Sequence, residues 1–380
     1  MFLRALLLSS AFLVACTAAD AKSGDTQMIR GSDGVTLKAT HLSTFDSPWA
    51  MAFLPDGRAL VSEKDGALWL LDKSGQKLGE ISGVPSVTAR GQGGFGDIYV
   101  PADFETSGEI YISYVERDSN DNRFSGAVVD RATLNLTQTG GSLSARSQVW
   151  EQSPKMTGNG HYGHRIGVSS DNYLFISSGE RQHFTPSQNM DMNLGKVVRL
   201  NRDGSVPEDN PFVKQGGVSA EIWTLGHRNP LGLDFDAEGQ LWVHEMGPRD
   251  GDELNKIVRG SNYGYPVVSN GKHYSGVEIP DHDEMPIYDR PAVYWVPAIS
   301  PAGLSIYKGD VFSDWIGDAF IGGLSSEALI RVDMDAQGGP KEAARYAWEE
   351  RIREVETGPD GALYVLEDAE GRLLKLEPAN

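Results

Sequence analysis

Cysteine is all but missing from this chain: Cys16 is the only one among 380 residues. A disulfide framework is therefore excluded, and the fold must be held together by its core or by bound metal. Basic residues are also in short supply, 34 against 53 acidic ones, for a net charge of −19. That balance excludes binding of nucleic acid or of an anionic membrane surface through bulk electrostatics, while leaving room for a local basic pocket. Long apolar runs are lacking, since the run at 5–14 is too short to span a bilayer as a helix. No amphipathic stretch of helical period competes over any comparable length, and no Pro/Ser-rich linker divides the chain. Glycine is what the chain does have, 44 residues of it, together with enough hydrophobic side chains for a sizeable core. One large β architecture accounts for this length and composition.

The N-terminus reads as a targeting segment. Arg4 precedes the apolar run, which ends in Leu13-Val14-Ala15-Cys16. This ending resembles a bacterial lipobox, in which the cysteine is acylated after cleavage; the bland alternative is an ordinary signal peptide with an incidental cysteine. The expectation is a signal at 1–16 with Cys16 lipidated and a flexible tether at 17–34. The protein would then sit on the periplasmic face, anchored to the outer membrane through its lipid alone.

From there on one unit recurs. A turn of the PDG type is followed by alternating apolar residues in PDGRALVSE (55–63), TSGEIYISY (106–114) and SSDNYLFISS (169–178). The same pattern returns in DAEGQLWVHE (236–245), WIGDAFIGG (315–323) and GPDGALYVLED (358–368). Each turn is preceded by a second short apolar segment, so each unit reads as antiparallel hairpins. The turn positions Gly57, Gly108, Asn172, Gly239, Gly317 and Gly361 are spaced more widely than WD40 or kelch repeats, which gives the blades large loops. The predicted fold is all-β, a six-bladed propeller of four-stranded antiparallel blades forming one domain over 35–380. The segment 36–45 is expected to supply the outer strand that the last unit lacks, closing the ring.

In such a ring the starts of the first strands meet at one mouth. They bring Trp49, Gln92, His161 with Arg165, Arg228 with Asn229, Tyr294 with Trp295, and Arg351 with Arg353. Four arginines converging in so acidic a chain point to a planar, polyanionic ligand that stacks and takes bidentate contacts. Gln92 reads as either a pocket amide or a strand cap, and Arg351 and Arg353 as either pocket cations or partners of blade-edge acids. His161 is flanked by glycines in GNGHYGHR, which permits close approach of a ligand. The loop HEMGPRDGDELN (244–255) with SNYGYP (261–266) has the make-up of a Ca²⁺ site: Gly247-Pro248 exposes carbonyls, and Asp252, Glu253 and the Tyr263 region add oxygen. A solvated acidic loop is the alternative.

These segments resemble the soluble pyrroloquinoline quinone (PQQ)-dependent aldose dehydrogenases of the glucose/sorbosone dehydrogenase family. The likeness spans nearly the whole mature chain and is sharpest in GQGGFGDI, GHYGHR, LGKVVRLNRDGSVPEDNPF, GHRNPLGL, HEMGPRDGDELN and NYGYPV. It implies PQQ and Ca²⁺ as cofactors, an aldose as substrate, and a quinone or cytochrome as electron acceptor. It makes His161 the catalytic base and places Gln92, Arg228, Asn229, Arg351 and Arg353 at the cofactor. Arg181 joins them, at a position where glucose-type members carry glutamine. The carbonyls of Gly247 and Pro248 would hold the cofactor's Ca²⁺, and Glu253 and Tyr263 a separate structural one. Ser325 stands about where the family often has a lysine, which removes one pocket cation. His164 replaces a small residue beside the catalytic motif.

Two other readings compete. A calcium-dependent six-bladed lactonase would need an inward set of carboxylates, and the ring is dominated by arginine. A binding module that has kept the scaffold and lost PQQ is favoured by Ser325 and opposed by His161, Arg228 and Gly247-Pro248.

Overall fold

The computed structural model describes residues 22–379. The lipobox and Cys16 lie outside them. Among the described residues no helix is long and apolar enough to cross a membrane.

The fold is all-β and propeller-like, built from four-stranded antiparallel units. Three stand alone as four-stranded sheets that begin with Gly163–Val168, Pro230–Phe235 and Pro301–Ile306. Two more, beginning with Pro48–Phe53 and Phe95–Tyr99, merge into one eight-stranded sheet. Their outermost strands meet there in parallel at only two positions, Gly141 opposite Ile81 and Ser142 opposite Ser82. The last sheet starts at Ile352–Thr357 and runs through Leu363–Glu367 and Arg372–Pro378 to Thr36–Thr44. The chain's beginning thus supplies that sheet's outer strand, Leu37 opposite Pro378 and Thr44 opposite Arg372. The expected tether is shorter than 17–34, because Thr26–Arg30 is itself a strand hydrogen-bonded to Thr36–Thr44. Backbone groups there are paired in a ladder, which a free linker would leave to water.

The first strands pack side by side in chain order, and Ile352–Thr357 returns to pack on Pro48–Phe53. Each sheet therefore has a neighbour on both faces. Period-2 alternation sends successive side chains into two different cores. In Ala59–Glu63, Leu60 joins the cluster with Ile98 and Ile110, whereas Val61 joins Met51 and Tyr364. In Leu363–Glu367, Val365 packs with Phe320 and Leu329, and Leu366 packs with Met51. The second strands ALVSE, LWVHE and LYVLE are consequently buried throughout.

The repeated turn has a local cause. At Pro55-Asp56-Gly57 the Asp56 carboxylate accepts the N–H of Arg58 at 2.9 Å, and Gly57 takes a φ of 89°. A left-handed residue two places into a turn is reached without strain by glycine. All six predicted turn positions have positive φ, including Asn172 at 67°, the non-glycine type that best tolerates it.

Candidate active site

His161 sits just before the strand Gly163–Val168, with a φ of 50°. Gln92 receives its N–H at 2.7 Å, so the predicted pocket amide acts directly on the predicted base. The imidazole is buried, and its Nδ1 lies 2.5 Å from Oε1 of fully buried Glu180. The other oxygen of Glu180 accepts the Phe184 N–H at 2.9 Å. A carboxylate on Nδ1 selects the tautomer that leaves the Nε2 lone pair free, which is the arrangement of a general base. Burial pushes the His161 imidazole below its ordinary 6.5; Glu180 opposes this and the Arg228 charge adds to it. Burial also works against the Glu180 carboxylate, yet the His161 hydrogen bond and charge outweigh it and hold Glu180 below its usual value.

Gln92, which accepts the His161 N–H, and Tyr162, the next residue, line a cavity of about 460 Å³ together with Trp49, Lys64, His164, Met246, Arg351, Arg353 and Asp368; His161 and Glu180 adjoin it without lining it. That volume is within the range of pockets for small organic ligands. Arg351 and Arg353 share one carboxylate, Asp368, at 2.7 and 2.6 Å, so both readings of the pair hold: they are pocket cations with an acidic partner. Trp49 stacks on His164 with ring centres 4.9 Å apart and planes 15° off parallel. Burial pushes His164 down to about 3, so it is a neutral wall. Its Nδ1 is 2.7 Å from the Ser113 hydroxyl, and bare Gly96 leaves room for the ring.

Arg228 and Asn229 adjoin the cavity through Met246. Arg228 donates from Nη1 to the carbonyls of Met246 and Gly247, and its backbone N–H is held by Glu245. Its Nε and the Oδ1 of Asn229 are buried without a hydrogen-bond partner among the described residues. Orphaned polar atoms of this kind are costly unless a ligand completes them.

The acidic loop has two parts. Gly247 and Pro248 are buried, and the Gly247 carbonyl is engaged by Arg228. Further along, Asn255 donates through Nδ2 to both Glu245 and Glu253 at 3.1 Å, and its Oδ1 is left unpartnered. Burial, and then the nearby Glu245 charge, push Glu253 well above its ordinary value. Two buried carboxylates and a spare amide oxygen form a donor set that a divalent cation would satisfy. The Tyr263 carbonyl accepts from His282 Nε2 at 3.1 Å, while its hydroxyl reaches the Lys256 carbonyl. Among the described residues no cluster of three or more His, Cys, Asp or Glu side chains is arranged to hold a metal. Any cation here would need backbone and amide oxygens besides these two carboxylates.

Several side chains stand elsewhere than their position implied. Arg181 does not line the cavity: it is buried over the Tyr162 ring and spends its fork on the carbonyls of Gly158, Gly160 and Ser125. Arg165 does not join the mouth but lies inside the channel, bound to Asp97 and Glu354 and 4.2 Å from the Trp49 ring. Tyr294 and Trp295 belong to the outer strand Val293–Trp295, because the first strand of that next unit begins only at Pro301. A larger cavity of about 850 Å³ opens at the opposite end of the channel, among Phe53, Tyr99, Phe235, Glu354 and Glu356, and holds none of the predicted site residues except channel-lining Arg165. Glu180 and Lys64 escaped sequence reasoning. Each directly follows, or nearly follows, the second strand of its unit, and antiparallel pairing returns that end to the mouth, as Glu63 lies opposite Pro48 and Ser178 opposite Gly163.

The chain belongs to the Glucose / Sorbosone dehydrogenase family, whose family model matches residues 45–375. It is similar to the aldose sugar dehydrogenase YliI of Escherichia coli, 37% identical over 341 residues, covering 88% of this chain and 91% of that one. The crystal structure of the soluble aldose sugar dehydrogenase from Escherichia coli in its apo form superposes with a TM-score of 0.84 at 36% identity, over 90% of this chain and all (100%) of that one. The PQQ-bound aldose sugar dehydrogenase of Streptomyces coelicolor gives a TM-score of 0.71 at 26% identity, over 92% and 98% of the two chains.

Proposed function

We propose that this protein is a quinoprotein that oxidises the C1 hydroxyl of an aldose to the lactone, with His161 as general base. The observation that carries this reading is the buried His161–Glu180 pair, next to Gln92 and Tyr162, which line a cavity walled by cations. Glu180 and Gln92 fix the ring and its backbone, so that Nε2 receives the hydroxyl proton as the C1–H bond breaks. When bound, PQQ would accept the hydride and Ca²⁺ would polarise its quinone. Arg228, Asn229, Gln92, Arg351 and Arg353 would hold the cofactor, for which the orphaned Arg228 Nε and Asn229 Oδ1 are ready contacts. Gly247 and Pro248 would offer carbonyls to its Ca²⁺, and Glu253 with the Tyr263 region a structural ion. Arg181 serves in this reading as a brace for the loop that carries His161.

We count six blades, taking the two-residue parallel contact as a seam between two of them, in a single domain that begins with the strand Thr26–Arg30 rather than at 35. Residues 1–16 would direct export, with Cys16 lipidated and the enzyme on the periplasmic face. A quinone or a cytochrome would take the electrons onward.

Reconstitution tests the reading: purified apoprotein receives PQQ and Ca²⁺, and dye reduction is followed with a panel of aldoses. Sugar-dependent reduction is expected. No activity, together with no change in quinone absorbance, would sink the dehydrogenase assignment.

A further inference from the structure

The cavity beside His161 holds more positive charge than its own acid can neutralise. Lys64, Arg351 and Arg353 line it, and Asp368 is the single carboxylate among them. Asp368 is already shared by the two arginines. Arg353 is held below its ordinary value, first by burial and then, against Asp368, by the charges of Arg165 and Arg351. Lys64 makes no ion pair among the described residues. Its Nζ donates to the Gly91 carbonyl at 2.6 Å, a contact that leaves two N–H bonds of the ammonium unspent. Its place is fixed by the fold: Glu63 ends the second strand opposite Pro48, and the Lys64 N–H is bound to the Ser47 carbonyl at 3.0 Å. In a chain of net charge −19, a half-buried lysine without an acid beside two arginines suits an anionic ligand.

We propose that Lys64 binds a carboxylate of the cofactor, completing with Arg351 and Arg353 a three-cation cradle. The inference rests on the PQQ reading above and names a ligand residue that the first-strand ring does not contain. It also resolves the deficit at Ser325, whose hydroxyl, among the described residues, lies at hydrogen-bond length only from the Ala298 carbonyl. The missing cation enters from the first sheet, two units round from the one that carries Ser325.

Titration of the apoprotein with PQQ in the presence of Ca²⁺, read by quenching of tryptophan fluorescence, tests this without any turnover. Lys64→Met is expected to weaken PQQ binding by about tenfold to a hundredfold, the scale of one lost charge-assisted contact. Lys64→Arg should restore it, and Lys73→Met, which removes an exposed lysine elsewhere, should leave it unchanged. The trimethyl ester of PQQ, which lacks the carboxylate charges, should bind the wild type and Lys64→Met alike. Equal PQQ affinity in the wild type and Lys64→Met would overturn the inference alone. Equal loss of PQQ and of its ester would also overturn it, making Lys64 a brace of the Gly91 loop. Failure of the wild type to bind PQQ would overturn the dehydrogenase reading and this inference with it.

Discussion

Glu180 does two things with one carboxylate. Oε1 orients the His161 ring, and Oε2 holds the Phe184 N–H, so the base and the loop beyond it share a support. Glu180→Gln keeps the size and loses the charge. Turnover of the reconstituted enzyme should fall about 10- to 100-fold, the scale for losing the partner that orients a functional imidazole. The base must be neutral to act, and its ionisation already lies below 6.5, so the rate should be flat above that pH and fall on its acid side. Glu180 raises the His161 value; without it, the acid limb in the pH profile should move lower. His161→Ala should retain PQQ binding by spectral titration and lose about 10²- to 10⁴-fold in turnover. Loss of binding instead would mean the histidine holds the cofactor.

At the scale of the element, one rule explains which site residues were visible. The first strand of each unit begins at the mouth, and the second strand ends there. Reading first-strand starts finds His161, Arg228 and Arg351. Residues that follow the second strand are equally near: Lys64, Glu180, Gly247 and Asp368. The sequence contains both sets, but a loop length decides which residue after a strand turns inward. The interior of the channel shows the same limit. Arg165 alternates with His164 on one strand, yet burial leaves one a neutral wall and pairs the other with Asp97 and Glu354. Arg165→Met would strand those two buried carboxylates and should cost about 3 kcal/mol in urea unfolding. Glu221, held by Asn193 at 2.6 Å, offers a pH test. Burial raises it to about 7 from 4.5, so its contribution to stability is present below about pH 4.5 and lost as pH rises through 7. Glu221→Gln should therefore raise Tm by about 2–4 °C at pH 8 and change it little at pH 4.5.

For the molecule as a whole, closure is the decisive contact. Thr36–Thr44 seals the last sheet, and Leu37 and Ala39 from it are fully buried in the core with Leu376. Thr26–Arg30 adds a further edge strand and contributes one buried side chain, Ile29. Removing residues through 34 should lower Tm by only about 2–5 °C, whereas removing residues through 45 should abolish a cooperative melt and promote aggregation through the bared edge. Light scattering during the melt would separate the two. The strand alternation, the turn residues and the order of motifs were all readable in the chain, because they depend on local geometry and on a period of two. They suffice for an all-β, propeller-like fold, for ring closure by 36–45 and for His161, Arg228 and Arg351 at one mouth. Charge pairing was not readable, since it depends on which strands become neighbours across tens of residues. Only the tertiary structure could send Arg165 into the channel and Arg181 beneath the loop, and bring Lys64 and Glu180 to the mouth, because a guanidinium, ammonium or carboxylate goes where packing supplies its partners.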